Sequence, residues 1–291
     1  MELAERMVRQ VCVPLLSVLS GFALACVAGC NRDSGLELVD SPRAVERVIV
    51  VGSSTMAPLL SEIGKAYEKT HPEIRIEVQA GGSSRGVLDV LQGVAKLGMV
   101  SRALKPEERA LQRALVARDG VGIIVHKTNP VAHLSKFQVI GIYTGKITNW
   151  KQLGGEDMAI TVVSKAEGRS TLEIFSDYFD LPYKAILANV IIGDNQQGIQ
   201  TVAASPAAIG YVSIGSAEFE AQQGAAIRLV PLDDQVPTTA SVASGTYAIS
   251  RELNLVFKSP LSERLADFVA FAQSKDVAEL VTKQYFVPVA Q

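Results

Sequence analysis

Apolar and polar positions alternate in blocks along the chain, and these blocks predict strands and helices in turn. A β-branched run at residues 47–51 predicts a strand. Residues 56–70 carry apolar side chains three and four positions apart, which predicts a helix. The same reasoning predicts further strands at 74–78, 97–100, 122–126 and 246–250, and further helices at 86–93, 106–117, 261–274 and 277–284. Strands that alternate with helices favour an α/β fold with largely parallel pairing.

Two breaks in this pattern predict that the chain forms two lobes. The segment at 127–130 reads Lys-Thr-Asn-Pro, and the segment at 236–238 reads Val-Pro-Thr. We interpret them as the points where the chain crosses between lobes and returns. Residues 47–127 and 238–291 then form lobe I, and residues 128–237 form lobe II. A second set of predicted elements, at 136–143, 160–164, 171–179 and 209–214, belongs to lobe II.

The N-terminal segment has the pattern of an export signal. Arg6 and Arg9 precede an uncharged run at 11–29, which ends in Val27-Ala28-Gly29-Cys30, the pattern of a bacterial lipobox. We therefore predict a lipoprotein signal peptide at 1–29, a lipid on Cys30 and a polar tether at 30–46. Two alternatives stay open, namely a retained membrane anchor and a soluble signal cleaved after Ala25. The prediction places the protein in the periplasm or at the cell surface, anchored to a membrane by lipid.

Charge and cysteine content exclude several classes of function. The chain has 28 Lys and Arg against 30 Asp and Glu, a net charge of −2, which argues against nucleic acid as the main partner. If Cys12 and Cys26 leave with the signal and Cys30 carries lipid, the mature body has no thiol. Disulfides, thiolate metal sites and cysteine nucleophiles are then excluded.

The three histidines do not form a pattern that predicts catalysis. His71, His126 and His133 are scattered, so no metal site is predicted. None lies near the serine-rich loops in sequence, so a Ser/His/Asp hydrolase has little support. We predict a protein that is not an enzyme and that carries no cofactor.

Three loops of small residues stand immediately before predicted helices. The first loop (residues 52–55) reads Gly-Ser-Ser-Thr, the second loop (81–84) Gly-Gly-Ser-Ser, and the third loop (167–171) Glu-Gly-Arg-Ser-Thr. Helix N-termini bind anions through unpaired N–H groups and a partial positive charge. For a single loop, an ordinary N-cap is the simpler interpretation, and Ser170 with Glu173 fits a capping box. Three such loops together favour a shared anion site.

Several motifs resemble the phosphate-binding substrate-binding proteins of bacterial ABC transporters, the PstS-like family. The stretch at 142–155, which contains Asn149-Trp150, is the most specific of them. The others begin at Gly52, Gly81, Met99, Ile209 and Gly245, and together they span nearly all of residues 47–291. The resemblance implies a type II periplasmic-binding-protein fold, in which two α/β lobes are joined by two crossover strands and phosphate lies in the cleft.

The resemblance also implies which residues bind phosphate. The family's donors in the three loops and the cation ahead of the third loop fall at the positions of Ser54, Thr55, Ser83, Lys165, Arg169, Ser170 and Thr171, where Arg169 and Ser170 replace the family's Ser-Gly pair. The family's third loop usually reads Arg-x-x-Gly-Ser-Gly-Thr, so Lys165 stands in place of Arg, and a lysine offers a point charge where arginine offers a planar fork. Arg102 is included as a further cation. Arg102 follows a predicted strand, at a position where some relatives have an Asp that accepts a proton from the bound anion. Without that Asp, the site is less able to reject sulfate.

The resulting hypothesis is an extracytoplasmic lipoprotein that captures inorganic phosphate between its lobes and delivers it to an ABC permease and its ATPase. It implies a monomer that does not bind nucleic acid. One alternative is another oxyanion ligand, such as sulfate, molybdate or a phosphorylated small molecule. A second is a phosphate sensor or adhesive lipoprotein with the same fold, and a third is an exported phosphate-ester hydrolase, for which no metal site or activated nucleophile is found in the sequence.

Overall fold

A computed structural model describes residues 45–289 of the chain. The predicted signal peptide, Cys30 and all but the last two residues of the predicted tether lie outside this range. The strands are β1 Glu46–Gly52, β2 Ile74–Ala80, β3 Leu97–Val100, β4 Gln112–His126, β5 Thr161–Lys165, β6 Val190–Ile192, β7 Ala208–Ser213, β8 Ile227–Val230, β9 Ser250–Phe257 and β10 Val287–Pro288. The helices are α1 Ala57–Glu68, α2 Ser83–Leu91, α3 Lys136–Tyr143, α4 Ser170–Phe179, α5 Asn195–Ala203, α6 Ile214–Gln222, α7 Thr239–Ala243, α8 Glu263–Ala272 and α9 Ala278–Lys283. Within residues 45–289, no helix is both long and apolar enough to cross a lipid bilayer.

The strands form two α/β halves that share β4. Their order is β2-β1-β3-β9-β4-β7-β5-β6, with β8 and β10 also paired to β4. β1 runs parallel to β2 and β3, and β5 runs parallel to β6 and β7. The predicted alternation of strands and helices is therefore confirmed. Because neighbouring strands run parallel, their carboxyl ends lie at the same edge of each half.

β4 joins the two halves because it changes partner along its length. It pairs antiparallel with β9 up to Gly120 and with β7 from Val121 onward. β9 begins at Ser250, opposite Gly120, and continues into the first half. The two elements that connect the halves are thus β4 and the start of β9. The lobe boundaries at 127 and 238 stay predictions.

Each half has its own apolar core. In lobe I, Leu59, Ile63 and Phe268 pack between α1, α8 and the sheet. In lobe II, Phe175 stacks on Tyr211 with ring centroids 4.0 Å apart. Trp150 is completely buried in that core, and its Nε1 donates to the carbonyl of Ala207 at 2.9 Å. The loops of each half therefore rest on a core of their own.

Two predicted elements are wrong. The helix predicted at 106–117 is a short 3₁₀ turn, Pro106–Glu108, followed by the start of β4. Residues 112–115 and Ala117 pair with β9, with an irregularity at Val116, and Ala114 and Val116 are buried in the core; this sheet pairing outweighs the local helix preference. The strand predicted at 246–250 begins only at Ser250, because Tyr247 and Ile249 pack into the core of lobe II. α5 and α6 were not predicted.

Gly52, the last residue of β1, controls how the first loop leaves the sheet. Its φ is +141°, and a Cβ at this position would collide with the backbone carbonyl of Met99. We expect Gly52→Ala to lower the free energy of unfolding by about 3–5 kcal/mol, since it adds backbone strain to a steric clash. Urea unfolding measures this change.

Gly93 provides the matched control for this prediction. Its φ is +76°, and nothing lies within 4 Å of where its Cβ would be. Gly93→Ala is expected to cost only the left-handed conformational energy, about 1–2 kcal/mol. Equal effects of the two substitutions would contradict a steric role for Gly52.

Candidate functional site

A small cleft lies where the three loops meet. α1, α2 and α4 follow β1, β2 and β5 respectively, so their N-termini point toward one region at the carboxyl ends of the strands. The cleft is nearly closed, with a free volume of about 10 Å³, roughly the space of one water molecule. It is lined by Ser53, Ser54, Thr55, Gly82, Ser83, Lys165, Arg169, Ser170, Thr171 and Gly193. The structure thus brings together all of the predicted site residues except Arg102.

Two of the three helices at this cleft, α2 and α4, begin without a side-chain cap, whereas at the start of α1 Ser53 Oγ accepts from the N–H of Met56 at 3.3 Å. The N-cap residues of α1, α2 and α4 are Met56, Gly82 and Arg169, and none provides a side-chain hydrogen bond to its helix. The predicted capping box of Ser170 and Glu173 is wrong, because Arg169 is the N-cap. The ordinary-cap interpretation therefore does not describe the loops before α2 and α4, whose helix starts can present N–H groups to an anion. At α1 the N–H groups of Met56 and Ala57 both bond to Ser53.

A chain of serine hydroxyls crosses the cleft. Ser53 Oγ donates to Ser101 Oγ at 2.8 Å, and Ser101 Oγ lies 2.5 Å from Ser170 Oγ. Ser83 Oγ accepts from the backbone N–H of Ser101 at 3.1 Å. Ser101 follows β3 in lobe I and Ser170 begins α4 in lobe II, so this chain connects the two lobes directly.

Arg251 joins the two threonines of the cleft. Its Nη1 donates to Thr171 Oγ1 at 3.0 Å, and its Nη2 donates to Thr55 Oγ1 at 3.1 Å. Asn195 Nδ2 also donates to Thr55 Oγ1, at 3.0 Å. A hydroxyl oxygen has two acceptor lone pairs and one hydrogen. Both lone pairs of Thr55 are occupied, so its hydrogen is left to point at a ligand.

Arg251 is held in turn by a buried ion pair with Asp119. The two residues face each other in the β4–β9 pairing, and Arg251 Nη2 lies 2.7 Å from Asp119 Oδ2. Their side chains are 0% and 1% exposed. The sequence reasoning missed Arg251, Asp119 and Asn195. Arg251 ends the motif that begins at Gly245, which was the available signal, but Asp119 lies 132 positions away.

Lys165 places a buried amine at the carboxyl end of β5. The residue is 2% exposed, and its Nζ has no hydrogen-bond partner within residues 45–289. Burial, together with the positive charge of Arg251, lowers the pKa of Lys165 to about 7, although Asp194 acts in the opposite direction. An anion in the cleft would supply the missing partner and favour the charged form.

Arg102 does not line the cleft, and its role toward the anion stays a prediction. Its two terminal nitrogens each lie 2.8 Å from a carboxylate oxygen of Glu108, and its Nε lies 2.6 Å from Glu173 Oε2. Arg102 borders a different and larger cavity that also contains Lys105 and Arg118. The carboxylates of Glu108 and Glu173 therefore bind the Arg102 side chain, which its position in the sequence had suggested as a partner of the anion.

Among residues 45–289, no group of three or more His, Cys, Asp or Glu side chains is arranged to hold a metal ion. The groups that face the cleft are hydroxyls, backbone N–H groups and cations. Such an arrangement can bind a tetrahedral oxyanion by hydrogen bonds from many directions.

Comparison with known proteins identifies the family. Residues 39–276 match the model of a PBP superfamily domain. The chain belongs to this superfamily. The match covers lobe II, most of lobe I and the residues of the cleft.

Relatives within the superfamily have similar length and architecture. The chain is 28% identical over 288 residues to the phosphate-binding protein PstS of Bacillus subtilis, a match that covers 95% of this chain and 93% of that protein. A crystal structure of a candidate phosphate ABC transporter substrate-binding protein from Clostridium perfringens, with bound phosphate, is 32% identical with a TM-score of 0.79, and the match covers 84% of this chain and 100% of that one. An ABC-type phosphate transport receptor from Vibrio cholerae is 28% identical with a TM-score of 0.68, over 83% and 100% of the two chains. The predicted type II periplasmic-binding-protein fold is confirmed.

Proposed function

We propose that this protein captures inorganic phosphate in the cleft between its lobes and delivers it to an ABC transporter. The observation that carries the proposal is the meeting of three helix N-termini, two of them without a side-chain cap, with an unpartnered buried lysine in one small space. Such a site can bind an oxyanion, because the oxygens of the anion accept hydrogen bonds and its negative charge is stabilised by nearby positive charge. The names of the Bacillus and Vibrio relatives and the bound phosphate of the Clostridium structure support phosphate as that anion.

The donors come from both lobes, so binding couples the ligand to lobe closure. Thr55 and Ser83 belong to lobe I, whereas Ser170 and Thr171 belong to lobe II. All four are at most 4% exposed, so a ligand enters only when the lobes separate. Separation breaks the Ser101–Ser170 contact and the bond from Asn195 to Thr55. Phosphate would replace these contacts with its own and shift the population to the closed form, with β4 and β9 as the connection that bends.

We further propose that a lipid on Cys30 anchors the protein outside the cytoplasm, where it meets its permease and ATPase as a monomer. Capture and release need no chemical step, so the proposed activity is not enzymatic. Relatives at this level of similarity are named as binding proteins, transport receptors or substrate-binding proteins, which supports this part of the proposal.

Isothermal titration calorimetry of the purified full chain with phosphate tests the proposed function. We expect one phosphate per chain, with a dissociation constant in the micromolar range or below. Titration in the presence of sulfate or molybdate distinguishes phosphate from the other oxyanions. Absence of binding at micromolar phosphate, or tighter binding of sulfate or molybdate, would overturn the proposal.

Ser83 and its neighbour Ser84 allow a matched test of the site. Ser83→Ala removes a hydroxyl that lines the cleft, whereas Ser84 Oγ donates to Glu173 and does not line it. We expect Ser83→Ala to weaken phosphate binding about tenfold, the value of one hydrogen bond to a charged group, and Ser84→Ala to leave it nearly unchanged. If both variants bind like the wild type, Ser83 does not contact the ligand.

A further inference from the structure

Glu173 lies beside the anion cleft but does not line it. It stands on α4 in lobe II, one turn after Ser170 and Thr171, and its side chain borders the larger cavity instead. There it contacts two cations of lobe I. Arg102 Nε lies 2.6 Å and Lys105 Nζ lies 3.3 Å from Glu173 Oε2. These two ion pairs therefore join the lobes outside the space proposed for phosphate.

Arg102 is held in place by its own lobe. Both of its terminal nitrogens bond to Glu108, and Nη1 also donates to the carbonyl of Ala103 at 2.9 Å. Glu108 in turn accepts from the backbone N–H of Lys105 at 2.8 Å. The Arg102 side chain is 6% exposed, so solvent screens its charge weakly. Because the guanidinium is already ordered, its ion pair with Glu173 costs little conformational entropy when the lobes close.

The ion pairs to Glu173 differ from the hydroxyl contacts between the lobes. The contact of Ser101 with Ser170 lies at the cleft, where phosphate would replace it. The ion pairs to Glu173 lie outside the cleft, so phosphate does not compete with them and they persist in the loaded protein. Ser84 also donates to Glu173 Oε1, but Ser84 is partly exposed, and water can take the place of its hydroxyl.

We propose that Glu173, bound by Arg102 and Lys105, keeps the loaded protein closed and so slows the release of phosphate. This inference rests on the proposed function and gives Arg102 a positioning role, in which it stabilises lobe closure without contact to the anion. A contact that exists only in the closed form shifts the population toward that form. Opening must break both ion pairs, so their strength appears in the release rate, whatever share of the ligand-free protein is closed.

Glu173→Gln in the full chain tests this proposal. The substitution keeps the shape of the side chain and removes its charge. It leaves Arg102 paired with Glu108, so no buried charge loses its last partner. Protein loaded with radiolabelled phosphate is mixed with an excess of unlabelled phosphate, and the loss of label is followed in time. We expect release about tenfold faster than in the wild type, because contacts to a buried charge act mainly on the dissociation rate.

Asp177→Asn is the matched control for the loss of negative charge. Asp177 lies one turn further along α4 and borders the same cavity, but its side chain is exposed. It takes part in none of the ion pairs within residues 45–289. Removal of this charge should favour an anion slightly and should not speed release. Equal acceleration by Asp177→Asn and Glu173→Gln would overturn the proposal.

Lys105→Met tests the second ion pair. Lys105 is the more exposed of the two cations, so we expect its loss to speed release only about two- to threefold. In the Glu173→Gln background it should have little further effect, because its partner is already neutral. Additive effects of the two substitutions would overturn the role of Lys105.

The direction of the change separates the proposal from a direct role of Arg102 at the anion. If Arg102 served the anion itself, Glu173→Gln would free its positive charge, and phosphate would leave more slowly. Slower or unchanged release from Glu173→Gln therefore overturns the proposal. Failure of the wild type to bind phosphate overturns the proposed function instead.

Discussion

Arg251→Met is expected to lower phosphate affinity about 30- to 100-fold, although Arg251 does not line the cleft. Its guanidinium orients the hydroxyls of Thr55 and Thr171, one from each lobe, and supplies positive charge beneath them. Loss of two hydrogen bonds from a charged group is worth about 2–3 kcal/mol, which corresponds to that range. Calorimetry with phosphate measures the change. Arg113→Met is the matched control, because Arg113 is half exposed and contacts Glu252 far from the cleft hydroxyls.

Stability and binding must be separated in this experiment. Arg251→Met leaves Asp119 buried without its partner, which costs about 3–5 kcal/mol of folding free energy. The double variant Arg251→Met/Asp119→Asn removes the unpaired charge, so we expect it to recover stability but not phosphate affinity. Recovery of affinity as well would show that Arg251 acts only on the stability of the fold. Arg251→Lys keeps the charge without the planar fork, and we expect it to recover only part of the affinity.

The orienting role also predicts coupling between Arg251 and Thr171. Thr171→Val should weaken binding strongly when Arg251 is present, because an oriented donor is lost. In the Arg251→Met background the same substitution should cost clearly less, because the hydroxyl is no longer held toward the ligand. Additive effects of the two substitutions would contradict an orienting role for Arg251.

Lys165→Met is expected to change binding and stability in opposite directions. Phosphate binding should be lost at micromolar ligand, because the cleft loses its buried cation. The ligand-free protein should become more stable at pH 6, by about 1–4 kcal/mol, because a buried charge without a partner is removed. Urea unfolding at several pH values measures the second effect. Lys151→Met, at an exposed lysine paired with Asp157, should change neither property.

The pH dependence of this stability gain follows from the pKa of Lys165. In the folded protein the pKa is lowered from 10.5 to about 7, so between these values the unfolded chain binds more protons than the folded one. The penalty of the buried charge is therefore complete below pH 7 and fades as the pH rises toward 10.5. The advantage of Lys165→Met should shrink in the same interval. A variant that is less stable than the wild type at pH 6 would contradict the burial of an unpaired amine.

Much of the site could be predicted because each loop is contiguous in sequence. An anion site of this kind needs a turn, small residues and the start of a helix. In the first and third loops, these three features lie within five positions of each other. The surroundings of Arg102 could not be predicted, for a complementary reason. Its partners Glu108 and Glu173 depend on how the chain packs after β3, and no local pattern distinguishes an arginine aimed at an anion from one held by carboxylates.

Long-range packing explains the remaining differences. Arg251, Asp119 and Asn195 reach the threonines from positions far away in sequence, so only the register of β4 against β9 and the start of α5 bring them together. The misassigned helix at 106–117 has the same origin. Ala114, Val116 and Ala117 are compatible with either a helix or a strand, and pairing with β9 decides between them. The local helix propensity of this segment is outweighed by its pairing with a long neighbouring strand.

A crystal structure of the protein with phosphate would test the central claim most directly. We expect one phosphate in the cleft between the loops, with its oxygens within hydrogen-bond distance of Thr55, Ser83 and Ser170 and of the Nζ of Lys165. Arg102 should stay paired with Glu108 and Glu173. Phosphate in the larger cavity beside Arg102, Lys105 and Arg118, with the cleft between the loops left without it, would contradict the assignment of this site.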